Sequence, residues 1–262
     1  MEKVSSRDIA QMIDAALLGP AMTGKDITLG CGNAKKYGVF SVCVKPSFVE
    51  TCVMELQGSG VEVTTVISFP HGACLPEVKV YETERALDQG CTEVDMVLNI
   101  GYLLGGDYDY VEREIGLVAD AAHKRGGLLK VILENAYLTD DLIIKASKIS
   151  ESAGADFIKT GTGFAPGGAT IPDLRLMRGA VGERVKLKAA GGVSTLDAAL
   201  NARALGCARV GSSAMVKIME EAYIREAAGT LRLPENVGDD LQGVYDPGFA
   251  GKAGPDPGAA AY

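Results

Sequence analysis

The stretch Gly154-Ala155-Asp156-Phe157-Ile158-Lys159-Thr160-Gly161-Thr162-Gly163-Phe164 decides the reading of this chain. It reads as a glycine that closes a helix, a short buried strand, and a lysine aimed at a glycine-rich turn. A lysine at the end of a buried strand loses hydration, which is costly unless the charge has a task. Val185-Lys186-Leu187-Lys188-Ala189-Ala190-Gly191-Gly192 repeats the pattern with Lys188. Two strand-end lysines beside glycine turns point to amine chemistry on a carbonyl or phosphate substrate. The plainer alternative is a pair of surface lysines.

Outward from these two segments, short apolar or β-branched runs recur at residues 39–44, 61–67, 93–98, 128–133 and 208–210, with 13–18 a weaker first member. Near-continuous apolar strands suit a parallel sheet covered on both faces. Between them, 77–89 and 110–124 carry apolar residues at helical spacing, and Thr139 opens another helix with Asp140 and Asp141 in its first turn. Gly90, Gly126, Gly154 and Gly206 follow helical stretches as C-terminal caps should. Eight strands alternating with helices predict an α/β fold, a closed (β/α)8 TIM barrel with a short N-terminal helix. The open doubly wound alternative lacks its usual G-x-G-x-x-G after the first strand. The barrel is expected to occupy residues 1–233 as one domain. A Gly/Pro-rich tail, residues 234–262, is expected to be irregular and to end on Tyr262 as a bystander or as a lid.

Composition narrows the partners. The 262 residues carry a net charge of −8, which argues against nucleic acid or an anionic membrane as the main partner. No apolar run is long enough to span a bilayer, and the N-terminus lacks the apolar core of a signal peptide. The six cysteines (31, 43, 52, 74, 91 and 207) form no C-x-x-C pair and read as reduced thiols of a cytoplasmic protein. With two histidines, a multi-histidine metal site is excluded, and no clustered carboxylate motif points to another metal. No cofactor is expected.

In a barrel, polar residues at the C-terminal ends of strands face the active site. The candidates are Asp14, Cys43, Lys45, the Ser68–His71 turn, Asp95, Asn99, Glu134, Asn135, Lys159, Lys188, and Gly211-Ser212-Ser213. Asp95 alternates with Val94 and Met96, so it points into the barrel, where it needs a cation from Lys159 or Lys188. A lysine nucleophile must be neutral, and from an ordinary pKa of about 10.4 that requires a neighbouring ammonium and partial burial. Two lysines on adjacent strands supply this: one forms the Schiff base, the other stays charged, and Asp95 shuttles protons through water. Gly191-Gly192 and Gly211-Ser212-Ser213 fit the barrel anion site after the last two strands. His71 reads as a loop residue and His123 as a surface one.

Together these blocks resemble the deoxyribose-phosphate aldolase family. The resemblance runs from about Ile9 to Glu221 and includes Ile13-Asp14-x-x-Leu17-Leu18, Val42-Cys43-Val44-Lys45-Pro46, Glu93-Val94-Asp95-Met96-Val97-Leu98-Asn99, Lys130-Val131-Ile132-Leu133-Glu134, Asp156-Phe157-Ile158-Lys159-Thr160-x-Thr162-Gly163-Phe164, and Lys188-Ala189-x-Gly191-Gly192-Val193. It implies a metal-independent class I aldolase that cleaves 2-deoxyribose 5-phosphate to glyceraldehyde 3-phosphate and acetaldehyde. By the same resemblance Lys159 is the Schiff-base lysine, Lys188 lowers its pKa, and Asp95 is the acid/base. The substrate is expected against Asp14, Cys43, Thr162, Gly163, Gly191, Gly192, Ser194, Gly211, Ser212 and Ser213. Departures gather at the phosphate end. Ala16 stands where Thr is usual, Ser194 where Arg is usual, Gly161 where Ser is common, and Ala214 where a second Ser is usual.

Three functions compete on this reading. The first is the aldolase acting on a sugar phosphate or aldehyde, as a homodimer or larger homo-oligomer. The second is a same-fold Schiff-base aldolase, lyase or dehydratase on a different carbonyl compound, phosphorylated or not. The third is a non-catalytic sugar-phosphate binder, which the intact lysine pair disfavours.

Overall fold

A computed structural model describes residues 2–237. The strands are β1 (Ile13–Leu17), β2 (Ser41–Val44), β3 (Glu62–Ile67), β4 (Glu93–Val97), β5 (Leu128–Ile132), β6 (Phe157–Lys159), β7 (Lys186–Ala190) and β8 (Cys207–Ser212). All pair in parallel and in chain order, and β1 closes on β8 at Asp14 opposite Gly211. The helices are α1 (Ser6–Ala10), α2 (Gly24–Tyr37), α3 (Val49–Leu56), α4 (Pro76–Asp88), α5 (Ile100–Gly105), α6 (Tyr108–His123), α7 (Asp140–Ser152), α8 (Ile171–Ala180), α9 (Leu196–Ala204) and α10 (Met215–Ala227). This is the (β/α)8 barrel that the alternating runs predict, short N-terminal helix included.

Local chemistry sets the boundaries. Thr139 caps α7 by accepting from the Leu142 N–H, with Asp140 and Asp141 in the first turn where the helix dipole favours them. Thr170 and Thr195 cap α8 and α9 in the same way, so the helices after β6 and β7 start at fixed points beside the strand ends. Of the expected tail, residues 234–237 are described. The rest, with Tyr262, lies outside the described residues. No described helix is long and apolar enough to cross a membrane.

The apolar core lies between strands and helices, where Val42, Val44, Val94, Leu129, Val131, Ile158 and Leu187 are buried against helical residues such as Ile27, Ile115, Ile143 and Leu174. The barrel interior differs. It holds Asp14, Ser41, Thr64, Glu93, Asp95, Lys130, Lys159, Lys188 and Arg209, all buried. Barrel interiors are more often filled by branched apolar chains, so this one is organised around charge.

A second buried ion pair stands outside the barrel. Lys79 on α4 lies 2.8 Å from Glu114 on α6 and donates to the Val97 carbonyl, while Glu114 accepts from the Asn99 N–H. Burial pulls the Lys79 amine down and pushes the Glu114 carboxyl up, each partly offset by the other. Removing one partner therefore leaves an uncompensated buried charge. Lys79→Met is expected to lower unfolding free energy by about 3–5 kcal/mol in urea titrations, and adding Glu114→Leu to recover much of it.

Candidate active site

Parallel pairing brings the charged side chains together. Lys159 of β6 sits opposite Lys188 of β7, and Asp95 of β4 opposite Lys130 of β5. Asp95 is the centre. The Lys159 and Lys188 amines each lie 2.8 Å from its Oδ2, and Lys130 lies 2.8 Å from its Oδ1. Lys188 also donates to Asp14, which accepts from the Ser41 hydroxyl at 2.8 Å. Lys130 reaches Glu93 at 2.6 Å. Arg209 closes the network below, with both arms on Glu93 at 3.0 and 3.1 Å, one on Asp14 at 3.2 Å, and its guanidinium 3.2 Å from the Phe40 ring centroid.

The cations overcome desolvation. Burial raises a carboxyl, yet Lys188 beside Asp14 and Lys130 beside Glu93 hold both below their ordinary values. Three ammonium groups hold Asp95 well below its own. Burial lowers a lysine, yet Asp14 and Asp95 keep Lys188 raised, and Asp95 does the same for Lys130. The network thus holds four cations against three ionised carboxylates, one positive charge in excess. Lys159 touches one of those carboxylates, while Lys130, Lys188 and Arg209 each touch two or more. Of the three lysines, Lys159 has the fewest carboxylate partners.

Above it lies a cavity of about 360 Å3. Lys159 and Lys188 line it, as do Asp14, Cys43, Thr162, Gly163, Gly191, Gly192, Ser194, Gly211, Ser212 and Ser213. Asp95 is not in the wall; it sits beneath the two lysines, fully buried. Three expected contacts look inward. The Thr162 N–H and hydroxyl are both bound to Glu134, and that hydroxyl also accepts from the Phe164 N–H. The Ser212 hydroxyl donates to the Val193 carbonyl at 2.6 Å and accepts from the Ala214 N–H. These groups shape the turns rather than present free hydroxyls. The Cys43 thiol is pushed up to about 11, by burial first and then by Asp95, and stays protonated at neutral pH.

Other candidates fall elsewhere. Lys45 donates to the carbonyls of Gly19, Pro20 and Met22, fixing the loop that forms one cavity wall. Asn99 caps α5. Asn135 donates to Asp173 at 3.3 Å. His71 lies on a separate shallow depression, and His123 pairs with Asp156 at 2.9 Å.

The far end of the cavity is built from backbone. Gly168 packs so closely on Gly191 that a Cβ there would meet the Gly191 carbonyl oxygen at 2.2 Å. Gly191 and Gly192 take φ of 87° and 82°, a region open to glycine at little cost. Among the described residues, the N–H groups of Gly192, Ser194 and Ser213 have no protein acceptor. All three residues line the cavity, Gly192 and Ser194 just before α9 and Ser213 just before α10, where backbone N–H groups suit an anion. Among the described residues, Lys159 and Lys188 are the cationic side chains that line the cavity, and Ala16, Ser194 and Ala214 are all in its wall.

Sequence reasoning missed Lys130, Glu93 and Arg209. Each is a charged residue within a β run, the signal that singled out Asp95. It also missed the role of Glu134, whose φ of 58° turns its carboxylate onto Thr162. A Cβ on Gly161 would lie 2.7 Å from that carboxylate, so glycine gives it room.

The profile of the DeoC/LacD family aldolases matches residues 9–217. The deoxyribose-phosphate aldolase of Thermoanaerobacter sp. (strain X514) is 50% identical over 215 residues, covering 82% of this chain and 96% of the relative. That of Thermococcus kodakarensis is 46% identical over 221 residues, covering 84% and 99%. Among solved structures, the tetrameric deoxyribose phosphate aldolase of Aeropyrum pernix superposes with a TM-score of 0.77 at 30% identity, covering 83% of this chain and 92% of that one.

Proposed function

Because the chain belongs to the DeoC/LacD family of aldolases, we propose that it cleaves 2-deoxy-D-ribose 5-phosphate to D-glyceraldehyde 3-phosphate and acetaldehyde through a Schiff base on Lys159. It is a class I aldolase of the metal-independent kind. The observation that carries the residue assignment is the sharing of one Asp95 oxygen by Lys159 and Lys188, each at 2.8 Å. Two ammonium groups on one oxygen repel each other, and the pair relaxes when one gives up its proton. Lys188 keeps its proton because Asp14 holds it as well.

The chemistry follows. The neutral Lys159 amine adds to the C1 aldehyde, and loss of water gives an iminium. The C3 hydroxyl loses its proton, the C2–C3 bond breaks, and its electron pair flows to the iminium nitrogen as an enamine. Glyceraldehyde 3-phosphate leaves. The enamine is protonated at C2, and water releases acetaldehyde from Lys159. Asp95 lies below the reacting carbons and takes and returns protons through water, with Lys188 as its charged neighbour. Its three cations make it a weak base at rest, and loss of the Lys159 proton removes one of them.

At the far end the phosphate takes the free N–H groups of Gly192, Ser194 and Ser213. That no further cation lines the cavity among the described residues favours a second reading, in which an unphosphorylated aldehyde or sugar is also accepted. Cleavage assays with and without the phosphate separate the two. A large preference for the phosphorylated sugar supports the first; equal rates support the second. Ser194→Arg is expected to raise kcat/KM for the phosphorylated sugar by about 10-fold and to leave 2-deoxyribose within about 2-fold, since the new contact is a charge-assisted hydrogen bond. The free thiols fit a cytoplasmic setting, and homo-oligomerisation is proposed by analogy with the Aeropyrum relative.

A further inference from the structure

Lys130, Glu93 and Arg209 do not line the cavity, so they touch no substrate, yet they are joined to Lys159 by an unbroken chain of contacts. Lys159 binds Asp95, Asp95 binds Lys130, Lys130 binds Glu93, and Glu93 binds both arms of Arg209. We infer that Glu93 and Arg209 are positioning residues that set the charge state of Lys159 from the floor of the barrel, by fixing the network at one positive charge in excess. The inference rests on the Schiff-base reading above.

Stability alone does not call for these charges. Buried ion pairs are often replaceable by apolar groups of similar volume without loss. What apolar residues lack is a fixed charge sum. Arg209 is always protonated, and Glu93 is ionised between Lys130 and Arg209. The other titratable groups around Lys159 are Asp95, Lys130, Lys188, Cys43, Asp14 and Glu134. Asp95, Asp14, Lys130 and Lys188 hold one another charged within the network. Cys43 stays protonated, and Glu134 is turned onto Thr162. Lys159, paired with a single carboxylate, is the amine on which the charge sum of the network acts.

The two floor residues then act in opposite directions. Glu93→Gln leaves two excess positive charges and favours the neutral amine. Arg209→Met leaves none and favours the charged one, because Glu93 remains ionised against Lys130. The readout is the acid limb of kcat/KM against pH for cleavage of 2-deoxyribose 5-phosphate, whose own titration is common to all variants. Glu93→Gln is expected to move the limb down by about one pH unit and Arg209→Met up by about one. Arg209→Lys keeps the charge and leaves the limb in place. The double variant loses both charges and returns the limb to the wild-type position, whatever its stability. A merely structural role moves both single variants alike or neither, and that result overturns the inference. If Arg209→Met does not fold, Glu93→Gln and the double variant still decide, since coincident limbs overturn it. Borohydride trapping on wild-type Lys159 comes first. No adduct there overturns the Schiff-base reading together with this inference, while an adduct with immobile limbs overturns the inference alone.

Discussion

Lys159→Ala is expected to lower kcat for 2-deoxyribose 5-phosphate cleavage by about 10,000-fold or more, because no other amine among the described residues is placed to substitute for it. Lys188 is the nearest candidate and is unsuited: Asp14 and Asp95 both hold it protonated. Lys130 is fully buried below Asp95 and outside the cavity wall. The loss is expected in kcat rather than in KM, since the phosphate end of the cavity is untouched. Stability is expected to hold, because the variant takes one cation from a network with one in excess and leaves no carboxylate unpaired. Unfolding midpoints and single-turnover rates on the same preparation check both halves. A residual rate within about 100-fold of wild type would move the nucleophile elsewhere.

Asp95→Asn carries the second large effect. The substitution keeps shape and removes the charge on which three lysines converge, so the network passes from one excess positive charge to two. Catalysis loses the group proposed to move protons to and from C3 and C2, a contribution of about 100- to 10,000-fold. Stability falls too, by about 3–5 kcal/mol, because three buried ammonium groups lose a common counter-ion. The pH dependence has a definite sign. Asp95 in the folded protein is held well below its ordinary value, so it contributes stability that is fully present above the unfolded carboxylate range. That stability is lost as pH falls through and below that range. Wild type is therefore expected to lose more stability than Asp95→Asn between neutral pH and about pH 3, measured as unfolding free energy at each pH.

The architecture was legible in the sequence because parallel strands buried on both faces leave near-continuous apolar runs, and capping residues mark the helices. The lysine pair of the proposed site was legible for the opposite reason: Lys159 and Lys188 break those runs at their C-terminal ends. Asp95 was found by its alternation with Val94 and Met96. The same reasoning applied to Lys130, between Leu129 and Val131, and to Arg209, between Ala208 and Val210, places both inside the barrel. Glu93 follows too, two residues before Asp95 on the same face of β4. What alternation leaves open is which charges meet across the barrel, since register between strands is a tertiary property. The family resemblance puts Thr162 against the substrate, and the glycine turn after the last strand puts Ser212 there; both line the cavity. Their hydroxyls also hold carboxylate and backbone partners, which residue type alone does not announce. The Lys79–Glu114 pair left no trace in the pattern, because a charged residue on a surface helix reads as solvated until the neighbouring helix covers it.

The most direct test is mass spectrometry after borohydride reduction in the presence of acetaldehyde or 2-deoxyribose 5-phosphate, on wild type and Lys159→Ala. A Schiff base on Lys159 is reduced to a stable secondary amine, so acetaldehyde is expected to leave an N-ethyl group on Lys159 and nothing on the variant. An adduct that persists in Lys159→Ala, or maps to Lys188 in the wild type, would contradict the assignment of the nucleophile.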